Sequence, residues 1–105
     1  MNSIYEEIAA ERKRQDEKWG EQNIPVFNAP SKMKRYSRMM SDGAKYQFEK
    51  GKKSWYTFFF WKCYEAFASP NKIKMRKIMI QVCAVGVAII EYLDRQIEGG
   101  KECIK

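Results

Sequence analysis

WYTFFFWKCYEAFASPNKIKMRKIMIQVCAVGVAIIEYLDR, residues 55–95, decides the fold. It holds two apolar runs parted by Ser69-Pro70-Asn71, where the proline stops one helix and the asparagine is suited to cap the next. The first run (Trp55, Tyr56, Phe58, Phe59, Phe60, Trp61, Tyr64, Phe67) is aromatic enough for a strand. It lacks period-two alternation, however, and Ser54 stands before it as a helix cap, so a helix reaching about Ser69 is expected. The second run is expected to be the longest helix, from Asn71 to a stop at Gly99-Gly100. From Ile78 to Ile90 it is apolar nearly all round, and Cys83, Ala84, Gly86 and Ala88 permit close approach. A helix that is apolar on every side must be covered on every side. A chain of 105 residues with about four helices has too little material for that, so a homo-oligomer, dimer or tetramer, is expected.

The rest of the chain reads as helix too. Ser3-Ile4-Tyr5-Glu6 has the spacing of a capping box, and Trp19-Gly20 provides a stop. Gly20, Pro25 and Pro30 mark residues 20–30 as an extended connection. Met33, Tyr36, Met40, Ala44 and Phe48 then recur at helical spacing from Ser31 to about Lys50, with a weak point at Ser41-Asp42-Gly43 and an end at Gly51. The expectation is an all-α, single-domain bundle over residues 1–105.

Residues 55–95 resemble the paired helices of the phage-type MazG-like nucleotide pyrophosphohydrolases, and ERKRQDEKWGEQN (Glu11 to Asn23) resembles the opening signature of that subfamily. The matching positions in the signature are Arg12, Arg14, Gln15, Lys18, Trp19, Gly20 and Gln22; Ile24 stands where the subfamily often has histidine. The resemblance implies a helical bundle, dimers or tetramers, and metal-dependent hydrolysis of nucleoside triphosphates. It also implies Glu-Glu-x-x-Glu on the first helix of the pair and Glu-x-x-Asp or Glu-x-x-Gln on the second. Carried over, those positions are Trp61, Lys62, Glu65, Ile78 and Gln81. One carboxylate survives.

The chemistry suffers accordingly. Mg2+ needs hard oxygen ligands, and carboxylates on facing helices provide them inside a bundle. An indole, an ammonium and an isoleucine provide none, and Lys62 repels a cation unless it pairs with Glu65 one turn away. No catalytic residue, metal or other cofactor is therefore expected; Mg2+ enters only if an active (d)NTP pyrophosphohydrolase is built from Glu65, Gln81 and other acids such as Glu91 or Asp94. The chain has no histidine, and Cys63, Cys83 and Cys103 show no Cys-x-x-Cys spacing, which argues against structural zinc and against His-dependent nucleophilic catalysis.

Charge is concentrated in the middle. Residues 32–77 carry thirteen basic and three acidic side chains, within a chain of net charge +7. Arg12, Arg14 and Lys18, with Lys32, Lys34, Arg35, Arg38, Lys45, Lys52 and Lys53, are candidates to meet a phosphate or a partner. An acidic protein or a nucleic acid or nucleotide fits such a surface, with Tyr36, Tyr46 and Trp55 available for base stacking; an ordinary solvated face is the plainer alternative. In α-helical signature residues such as Arg12, surface ion pairs with Trp19 as a lid on the core are the plain reading. No apolar run is long enough to span a membrane, and MNSIYEEIAAERKR lacks a secretory signal's apolar stretch, so a cytoplasmic protein is expected. The leading functional expectation is a non-catalytic, phage-encoded binding protein that inhibits a host or defence factor, for example of CRISPR type. The alternatives are the active pyrophosphohydrolase and a basic nucleic-acid-binding module.

Overall fold

The computed structural model describes residues 3–51 and 53–99; Lys52 and Cys103 lie outside the described residues. Four helices follow in order: α1 Ile4–Trp19, α2 Pro30–Glu49, α3 Trp55–Phe67 and α4 Lys72–Glu98. Among the described residues there is no strand, and the protein is all-α.

Local chemistry sets the boundaries. Ser3 Oγ accepts from the Glu6 N–H (3.1 Å) and Glu6 Oε1 from the Ser3 N–H (2.7 Å), which satisfies two donors that α1 leaves unpaired. Gly20 closes α1 at φ 67°, a conformation side chains resist. Pro30 opens α2 in its first turn, where a missing N–H costs nothing. Ser54 caps α3 and Asn71 caps α4, each accepting from the N–H three residues on. The α3 helix ends at Phe67, two residues before the expected stop, because Ala68 and Ser69 already turn the chain; the Ser69 hydroxyl donates to the Glu65 carbonyl (3.1 Å).

The α3 helix is the centre. It packs against α2 on one side and α4 on the other. Ala66, Ile78 and Val82 form the buried core, with Phe59, Cys63 and Met79 packed around it. The α2–α3 seam is small and polar: Ser37, Ser41 and Thr57 are buried. The apolar residues at helical spacing lie beside this seam: Met40, Ala44 and Phe48 are half-buried, Met33 and Tyr36 are exposed, and the buried positions of α2 are Ser37 and Ser41. The same seam removes the expected weak point. Ser41 donates to the Trp61 carbonyl (3.3 Å), and α2 continues unbroken through Asp42 and Gly43.

The α1 helix buries none of its residues and makes no comparable helix–helix interface. Trp19 is 60% exposed, with Lys18 Nζ 4.8 Å from its ring centre; it is not a lid. The 20–29 connection is tied at Phe27, whose ring meets Phe67 edge-on at 6.0 Å. No helix among the described residues is long and apolar enough to cross a membrane.

Candidate functional site

Three of the five positions implied by the resemblance come together. Trp61, Glu65 and Ile78 line a cleft of about 240 Å3 between α2, the α3–α4 turn and the start of α4. Helical spacing explains the wall that α2 supplies, since Arg38, Ser41, Asp42 and Lys45 recur every three to four residues on one face. Lys74 enters from the first turn of α4. Gln81 is exposed and does not line the cleft.

Packing and one ion pair occupy the positions that the resemblance implies. Ile78 is 5% exposed and belongs to the core. Trp61 packs on Phe48 and Phe58, with ring centres 5.8 and 5.5 Å away. Lys62, its side chain only 17% exposed, brings Nζ to 2.6 Å from Glu65 Oε1. That oxygen is shielded from solvent and has no hydrogen-bond partner, so the contact is an electrostatic pair at a poor hydrogen-bonding angle.

The residues present do not fit a Mg2+ site. Glu65 already has an ammonium against it, and Asp42 is the only other carboxylate lining the cleft, which Arg38, Lys45 and Lys74 make cationic. Among the described residues no group of three or more histidine, cysteine, aspartate or glutamate side chains is placed to hold a metal. Glu91 and Asp94 offer no substitute within one chain, because Glu91 lies about 20 Å along α4 from Ile78.

The basic residues divide by role. Arg38 donates to the Ala68 carbonyl (3.2 Å) and Lys34 to the Pro70 carbonyl (3.4 Å), so both tie α2 to the α3–α4 turn. Arg35 and Lys32 are exposed, Lys32 beside an apolar depression with Phe27 and Met33. Lys45 Nζ lies 5.9 Å from the Trp61 ring centre and Lys53 Nζ 5.1 Å from that of Phe48. On α1, Arg12 pairs with Asp16 (2.9 Å) and Arg14 with Glu11, while Lys18 covers Trp19; none of the three lines the cleft. Sequence reasoning missed Ser41, Asp42, Ser69 and Lys74 as cleft residues. The α2 pair was legible from its spacing to Arg38, but Ser69 and Lys74 depend on how the turn folds back.

Comparison of the chain with protein-family models, with curated proteins and with solved structures finds no match. The likeness to MazG-like proteins therefore rests on the quoted residues alone.

Proposed function

We propose that this chain is a non-catalytic, MazG-like binding protein that works as a homo-oligomer and, in a phage, acts by binding and inhibiting a host or defence factor such as one of CRISPR type. The observation that carries the non-catalytic part is the Lys62 ammonium 2.6 Å from Glu65, the sole acid among the five positions. A cation drawn to Glu65 would have to displace that ammonium and enter a cleft already rich in positive charge. The inhibitory role rests on analogy with other disabled enzyme folds and on the exposed basic residues of α2.

The purified protein, assayed with Mg2+ or Mn2+ against the common ribo- and deoxyribonucleoside triphosphates, is expected to release no pyrophosphate. Turnover that disappears in Glu65→Ala would refute the reading. For the binding surface, reversal is best confined to Lys32→Glu and Arg35→Glu. Lys34 and Arg38 hold the α3–α4 turn, and changing them mixes loss of binding with loss of structure.

A further inference from the structure

The α2–α3 end of the protein combines two features that share only Lys45 and Trp61 with the cleft. The first is an open slot of about 530 Å3, lined by Phe48, Lys53, Ser54, Trp55 and Phe58. Its rings are fixed against one another, with Phe48 and Phe58 centres 5.2 Å apart and Trp55 and Phe58 6.3 Å apart. The second is a set of ammonium groups held beside rings. Lys53 Nζ sits 5.1 Å from the centre of Phe48, Lys50 Nζ 5.7 Å from Tyr46, and Lys45 Nζ 5.9 Å from Trp61. None of these three lysines forms an ion pair with a described residue. From position 45 to position 58 the only acid is Glu49.

We propose that this end of the α2–α3 hairpin binds single-stranded nucleic acid. An unstacked base enters the slot against Trp55 and Phe48, and Lys45, Lys50 and Lys53 neutralise the flanking phosphates. Bases stack on aromatic side chains whatever their identity, and lysines follow the backbone. A duplex keeps its bases stacked inside and offers the slot nothing to fill it. An acidic peptide satisfies the lysines but gives no reason for an aromatic slot between them. This inference does not rest on the absence of catalysis and stands or falls separately from it.

The test is fluorescence anisotropy of a labelled 20-nucleotide oligo-dT strand titrated with the intact protein, beside a duplex of equal length and unlabelled polyglutamate as competitor. The strand is expected to bind more tightly than the duplex. Its log affinity should fall with log salt at a slope of about −2, as three phosphate contacts on a single strand require. Trp55→Ala should weaken binding about tenfold. Lys50→Gln with Lys53→Gln, both exposed and remote from the core, should make the salt slope shallower by about 1.4; this pair keeps the test valid if Trp55→Ala does not fold. Absence of strand binding at 100 µM protein (about the weak limit for non-specific contacts) overturns the proposal. So does equal affinity for the duplex, or displacement of the strand by polyglutamate as effective as by oligo-dT. If Trp55→Ala dissociates an oligomer while strand affinity is unchanged, the slot belongs to a second copy and the proposal fails.

Discussion

At Trp61, Lys62 and Glu65 an indole packs on two phenyl rings, and an ammonium neutralises the Glu65 carboxylate. Clustered acids at these positions, as the resemblance implies, would repel one another inside a bundle, a cost that this packing and this pair do not carry. A double-mutant cycle with Lys62→Met and Glu65→Gln should give a coupling energy of about 1 kcal/mol in urea unfolding. This lies between exposed and buried pairs because Glu65 is partly open to solvent. A coupling near zero would make Lys62 a passenger. Cys63 offers a second residue-scale prediction. Burial, and secondarily the nearby Cys83, push its thiol above the ordinary value of 9.0. The folded state therefore holds that proton more tightly than the unfolded chain, so the associated stability is intact below pH 9.0 and declines as pH rises beyond it. In a Cys103→Ser background, a disulfide reagent at pH 8 should label the exposed Cys83 at least about tenfold faster than Cys63; equal rates would show that Cys63 is not shielded.

At the scale of the helices, most of what the structure contains was legible, because caps and stops are local chemistry. Ser3, Ser54 and Asn71 each cap the helix their spacing indicated, and Gly20 and Gly51 end helices at positive φ. What was not legible depends on contacts distant in sequence. The α2 register turned on Ser37 and Ser41, small residues that allow the helices to approach, whereas of the apolar series Met40, Ala44 and Phe48 are half-buried and Met33 and Tyr36 exposed. For the same reason three of the positions at Trp61, Lys62, Glu65, Ile78 and Gln81 could be brought to one cleft, while its α2 wall and Lys74 depended on tertiary placement. Gly43 makes this testable. It sits inside unbroken α2, and an added Cβ meets nothing within 4 Å. Gly43→Ala should raise stability by about 0.5–1 kcal/mol, and Asn71→Ala should lower it by about 1 kcal/mol through loss of the α4 cap. Chemical denaturation measures both. A destabilising Gly43→Ala would mean that another surface lies against α2.

The whole molecule is open for a single chain of its length. Its radius of gyration is 16.4 Å, where a compact chain of this length has about 13 Å. It exposes 8811 Å2, where a globular chain of its mass exposes about 6,200 Å2. The reason is visible along α4. That helix is about 40 Å long and α3 only about 20 Å, so the face that buries Ile78 and Val82 outruns its cover. Val85, Ile89 and Leu93 continue the same face with Ile97 at its edge, and Leu93 is 49% and Ile97 53% exposed. Covering the surplus of about 2,600 Å2 on each of two copies would bury about 5,200 Å2 in all, at the upper end of what obligate homodimers bury. A second copy supplies an occupant without invoking another protein, and α1, which buries none of its residues and makes no comparable interface with the other helices, offers further surface to it. Light scattering after size exclusion at micromolar concentration should therefore give at least twice the 12.5 kDa chain mass. Leu93→Glu with Ile97→Glu should shift that mass toward the monomer, since an isologous contact places each charge against apolar surface twice. A cooperatively melting 12.5 kDa monomer in the unmodified protein would mean that this helix end tolerates water and that one chain covers its own core.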